Sequence, residues 1–163
     1  MRVAMMKTLA PLLIAVLPTS SLWAAETKPP LTAEQREQRA EFNYKMFCRG
    51  CHGPAGEGEK AVPHMNGFVG HFLKFEAGRN YLVQVPGSAN AALNDEQLTE
   101  ALNWIVMNIS GDSLPENFKP YTVEEVAKLR QEPLFEAFEF RKKLLNDMLQ
   151  KGIIKELPAQ PLK

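Results

Sequence analysis

Both cysteines of this chain lie within five residues, Cys48-Arg49-Gly50-Cys51-His52, so any fold it adopts must bring two thiols and an imidazole to one place. Three chemistries use such a cluster. A redox disulfide of the thioredoxin kind follows a strand in a βαβ setting, whereas the approach here, TAEQREQRAEFNYKMF, reads as a helix. Zinc needs further ligands at finger-like spacing, and the remaining imidazoles, His64 and His71, are poorly placed for it. Haem needs two thiols close enough to add across its two vinyl groups, with an imidazole directly after them to reach the iron from the same side. Cys48, Cys51 and His52 supply all three, and the reading is one covalent haem c.

The first 25 residues differ from the rest. Arg2 and Lys7 precede the apolar run TLAPLLIAVLP, and TSSLWAA ends in small residues. This is the pattern of a secretory signal peptide. A membrane anchor needs about 20 apolar residues, and Pro18, Thr19, Ser20 and Ser21 end the run too early; an uncleaved anchor stays open because Leu22 or Trp23 falls where a small residue is preferred. Export makes a structural disulfide the plain alternative for the two cysteines. The expected compartment is the periplasm, with no transmembrane span after cleavage. The 163 residues carry 19 basic and 19 acidic side chains and no long basic run, which argues against nucleic acid as a partner. The runs Arg141-Lys142-Lys143 and Glu124-Glu125 read as solvated helix faces.

Around the motif, residues 32–111 resemble the class I c-type cytochromes. Ala40 and Tyr44 lie eight and four residues before Cys48, on one helix face, where that family has a small residue and an aromatic. The segment CHGPAGEGEKAVPHMNG resembles its glycine-rich loop, in which Gly53, Gly56 and Gly58 let backbone lie against the porphyrin. Pro63 matches the proline whose carbonyl accepts the second ring proton of the axial histidine, fixing that ring. The resemblance implies an all-α cytochrome c fold around one haem, spanning residues 26–111.

The expected helices follow from caps and periodicity. One runs over residues 33–47, with Thr32 and Gln35 as a capping box. Residues 66–79 read as a short apolar helix ended near Gly78. A third follows Asn94, answered by Gln97, with Leu98, Leu102, Ile105 and Ile109 buried and Gly111 as its stop. By resemblance it crosses the first helix, so that Ala40 and Tyr44 meet Ala101, Leu102 and Ile105. Residues 112–163 are an extension: a proline-bearing connector, a helix capped by Thr122, and a helix over residues 133–151 ended by Gly152. On the last, Leu134, Phe138, Leu145, Met148 and Leu149 form a stripe widened by Phe135 and Leu144. The preferred reading is a strap packed on the core; the other is a docking face for a redox partner or a second subunit.

The family usually takes its sixth iron ligand from a methionine seven or eight residues before the leucine that opens the last helix. Here Leu93 places it at Val85 or Pro86, and YLVQVPGSANAALND contains no methionine. The candidates are His71 and Met65, with Met46, Met107 and Met148 as more ordinary packing residues, or an open position. The resemblance implies a non-enzymatic carrier of single electrons between redox partner proteins, such as a periplasmic dehydrogenase and a terminal oxidase or reductase. The alternatives are a haem-based ligand sensor or peroxidase-like protein with an open distal site, and a fixed haem subunit of a larger oxidoreductase complex.

Overall fold

The structure, a computed structural model, describes residues 29–59 and 61–158. The expected leader, residues 1–25, lies outside them. Seven α-helices and two 3₁₀ helices follow one another, and among the described residues there is no strand, only an isolated bridge between Glu59 and Val62. The class is all-α, as expected.

Helix α1 (Ala33–Phe47) starts where its sequence says it should. The Thr32 side chain accepts from the Gln35 backbone N–H, and the Gln35 side chain answers the Thr32 N–H. Helix α5 (Asp95–Ile109) opens with the same reciprocal pair, Asn94 and Gln97. The two helices pack on each other through Tyr44, which is 1% exposed and lies against Ile105, Ile109 and Trp104. A polar clamp flanks this contact: Arg39 grips both oxygens of Glu100 at 2.7 and 2.8 Å and reaches Glu96 at 2.8 Å. The expected partners of Tyr44 need correction in part. Ile105 is one, but Ala101 and Leu102 belong to another cluster, with Val83, Leu93, Leu98, Tyr121 and Val126.

Residues 66–79 are not one helix. A 3₁₀ helix (Val69–Lys74) stops at Phe75, whose extended backbone (φ −155°, ψ 152°) breaks the run, and α3 (Glu76–Gln84) begins beyond it. Gly78 does not end a helix but lies inside α3, because a Cβ there would run into the carbonyl of Phe72. Glycine is used for close approach, letting α3 fold back on the 3₁₀ helix. The segment that lacks the usual methionine is helical as well: α3 continues to Gln84 and a single turn, α4 (Pro86–Ala89), follows. Arg130 ties that segment down by donating to the carbonyls of Ala89, Ala91 and Leu93 and to the Asp95 carboxylate.

The connector after α5 is pinned by Asn103, whose side chain exchanges two hydrogen bonds with the Tyr121 backbone, at 2.8 and 3.0 Å. Thr122 caps α6 (Val123–Leu129). The last helix, α7 (Ala137–Gln150), starts later than residue 133, because the Leu134 N–H is taken by the Gln84 carbonyl at 2.9 Å, outside helical geometry. Gly152, with φ +67°, follows its end. Leu144, Leu145 and Met148 are buried with Phe72, Tyr81 and Ile154, each contributing on the order of 1.5–3 kcal/mol by burial. Leu134 packs against the same cluster, but Phe138 and Leu149 stay partly exposed and Phe135 is 94% exposed, outside the helix altogether. The place between them is taken by Arg141. It is buried, not on a solvated face, since it lies three residues after Phe138 and four before Leu145 and so shares their side of the helix.

Candidate haem site

The cysteine motif forms its own turn. Cys48 ends α1 and starts α2 (Arg49–His52), and its carbonyl accepts from the N–H groups of Cys51 and His52, at 3.2 and 3.0 Å. One helical turn therefore brings residues i, i+3 and i+4 to the same side. The two thiols are free, Cys48 half-buried and Cys51 exposed. Burial pushes the Cys48 thiol up to about 11, with the Cys51 sulfur as the lesser cause, so at neutral pH it is an uncharged thiol.

His52 lies with Nδ1 3.2 Å from the carbonyl oxygen of Pro63. A carbonyl can only accept, so this bond requires the proton on Nδ1 and leaves the Nε2 lone pair for a metal. Burial holds the imidazole below its usual range, and the Pro63 bond opposes that only in part. A neutral, oriented imidazole is what an iron ligand has to be.

The loop between His52 and Pro63 is held by its own backbone. Gly58 donates to the His52 carbonyl at 2.8 Å, and Met65 and Asn66 both donate to the Gly56 carbonyl. The Tyr44 hydroxyl donates to the Gly53 carbonyl at 2.5 Å, and burial raises its pKa, so it keeps its proton. Gly58 has φ +71°, and a Cβ on it would stand 2.5 Å from the Val62 carbonyl oxygen and 2.8 Å from the Pro63 carbonyl carbon. Only glycine fits, and its fit sets where the Pro63 carbonyl points.

The two candidates for the far side of an iron are differently placed. Met65 packs against the cluster of Tyr44, Ile105 and Ile109, which Cys48 and Trp104 also border. His71 sits in the 3₁₀ helix with its ring edge-on to Phe68 at 5.2 Å, and its Nδ1 is buried without a hydrogen-bond partner. Burial, and then the neighbouring Lys74, lower its pKa and favour a neutral ring. Of the remaining methionines beyond the leader, Met46 and Met107 are exposed and Met148 is fully buried in the α7 cluster.

These residues fit a haem: two free thiols on one turn, an imidazole with one nitrogen anchored and the other available, and a loop in which side chains are excluded at Gly58. A buried imidazole nitrogen lacking a partner is a further donor. What sequence reasoning missed in the fold that surrounds it is the burial of Arg141. The signal was there, since 141 falls in register with the apolar stripe of α7.

The chain is 35% identical, over 106 residues, to cytochrome c-552 of Thermus thermophilus, covering 53% of this chain and 81% of that protein. The same identity over the same number of residues relates it to a second cytochrome c-552, from a named strain of Thermus thermophilus, covering 72% of that protein. No family model matches the chain, and no solved structure does.

Proposed function

Since this chain belongs to the class I c-type cytochromes, we propose that it carries single electrons between redox partner proteins through a haem bound to Cys48, Cys51 and His52. Membership of the family implies a covalent haem c and electron transfer rather than enzymatic turnover. The observation that carries the assignment of residues is the anchored imidazole: the His52 Nδ1 contact to Pro63, one turn from two free thiols. When bound, the haem supplies an iron that gains and loses one electron. The protein's part is to hold and tune it. The thiols of Cys48 and Cys51 tie the porphyrin to α2, the Pro63 carbonyl fixes the His52 ring and keeps it basic, and the Gly53–Gly58 loop lets backbone close around the edge.

The compartment we propose is the periplasm, supported by the leader-like pattern of residues 1–25. Among the described residues no helix is long and apolar enough to cross a membrane. Residues 112–163 are proposed as an extension that belongs to the same core, because Tyr121 and Val126 share a cluster with α5, and α7 shares one with α3 and the 3₁₀ helix.

For the other axial position His71 is a better candidate than Met65. Its Nδ1 lacks a partner, while Met65 packs against the cluster of Tyr44, Ile105 and Ile109, which Cys48 also borders. A second axial imidazole lowers the potential relative to a thioether and keeps the iron six-coordinate. The test is carbon monoxide binding to the ferrous protein, read beside the ferric spectrum. The wild type is expected to be low-spin and slow to bind, and His71→Ala to become high-spin and fast. An unchanged low-spin spectrum in His71→Ala removes that residue as ligand. Rapid, tight binding by the wild type would instead support the ligand-sensing reading, which the methionine-free, helical segment 82–92 motivates.

A further inference from the structure

His52 and His71 are aimed by different means. The His52 ring is fixed through its own side chain, by the Pro63 carbonyl. The His71 ring makes no hydrogen bond on either nitrogen among the described residues, and its ring neighbour is Phe68, met edge-on. A ligating histidine is ordinarily oriented through its second nitrogen. His71 must therefore take its direction from the backbone that carries it.

That backbone is docked on the end of α5. Gly67 donates to the Ile109 carbonyl at 2.9 Å. Gly70, the residue before His71, lies in the first turn of the 3₁₀ helix, where the first backbone N–H groups lack partners within the helix. Its N–H is taken by the Ser113 hydroxyl at 3.1 Å, and the same hydroxyl donates to the Ser110 carbonyl at 2.6 Å. A serine hydroxyl has one proton, so spending it on Ser110 turns the lone pairs toward Gly70. Ser113 is 2% exposed and both bonds are buried. The approach is close as well: a Cβ on Gly70 would stand 2.6 Å from the Leu114 nitrogen and from the Ser113 carbonyl carbon. On the other side of His71, Phe72 is held by stacking on Tyr81 at 5.2 Å.

We infer that Ser113 is the positioning residue of His71: by taking the Gly70 N–H, its hydroxyl fixes the turn from which the imidazole reaches the iron. This rests on His71 as the second axial ligand, proposed above. Ser113 acts through the backbone, from just beyond residues 32–111. Without the hydroxyl the Gly70 N–H is a buried donor with no partner, and it finds one only if the turn that carries His71 moves. The coupling is reciprocal: a bond that favours ligation is favoured by ligation to the same degree.

The test measures carbon monoxide binding to the ferrous haem-bearing protein, for wild type, Ser113→Ala, Asn103→Ala and His71→Ala, with thermal stability followed in parallel. Carbon monoxide enters only as the sixth ligand leaves, so its rate reads how firmly His71 is held. Ser113→Ala is expected to bind about tenfold faster than wild type, the size of one hydrogen bond's contribution. Asn103→Ala instead cuts the two bonds to the Tyr121 backbone, and is expected to lose stability with the rate unchanged. A Ser113→Ala rate equal to wild type, or one matched by Asn103→Ala, would overturn the proposal, because the serine would then serve the fold alone. The ligand itself is read separately. A His71→Ala protein that stays low-spin would refute His71 as ligand and the proposal with it, whereas a high-spin His71→Ala beside an unchanged Ser113→Ala would refute only the role of Ser113. Should Ser113→Ala not accumulate, amide hydrogen exchange of the wild type reads the same point. The Gly70 amide is expected to lose protection when carbon monoxide displaces His71, and equal protection with and without carbon monoxide would overturn the proposal.

Discussion

A Cys48→Ala/Cys51→Ala variant is expected to hold no haem that survives denaturation, while each single variant retains it through one thioether. The reasoning is geometric. The Cys48 carbonyl organises a single turn that carries both sulfurs and His52 to one side, and the chain has no other cysteine to substitute. Loss of both thiols would leave the porphyrin held only by iron ligation and non-covalent contacts, an equilibrium that denaturant reverses. The check is the mass of the denatured protein together with a haem stain on a denaturing gel. Complete loss is expected in the double variant, and a haem still attached to it would contradict the assignment.

Gly58→Val is expected to be the most damaging single change in the loop. A non-glycine residue at φ +71° costs about 1–2 kcal/mol in backbone strain, and overpacking against the Val62 and Pro63 backbone adds about 1–3 kcal/mol. The loop can escape the clash only by moving the Pro63 carbonyl, which releases Nδ1 of His52. The variant is therefore expected to lose about 2–5 kcal/mol in denaturant unfolding and to show a weakened His52–iron bond in the resonance Raman spectrum. Gly50→Ala is the control, because a Cβ there meets nothing within 4 Å. Equal behaviour of the two variants would contradict this role for Gly58.

The parts of the fold that were legible in the sequence are those decided locally. Capping boxes need only four residues, and both Thr32 with Gln35 and Asn94 with Gln97 start their helices where the pattern says. The i, i+3, i+4 spacing of Cys48, Cys51 and His52 is equally local. The misread parts depend on distant chain. Gly78 looks like a helix stop until the Phe72 carbonyl is found lying against it. Residues 133–136 look helical until the Gln84 carbonyl takes the Leu134 N–H. Arg141 looks like one of three solvated cations, although its register among Phe138, Leu145 and Met148 put it on the buried side. Periodicity carried that information, and charge hid it. The far axial position was the least legible, because the residues competing for it belong to different elements and the segment that usually supplies a methionine has become helix.

The reading of this chain as an electron carrier is tested most directly by a spectroelectrochemical titration of the purified protein, run in both directions. The predicted result is one haem per chain, changing reversibly with a one-electron slope and with the same midpoint on oxidation and reduction. A chain without haem, or one whose haem reacts irreversibly or with a slope other than one electron, would contradict it.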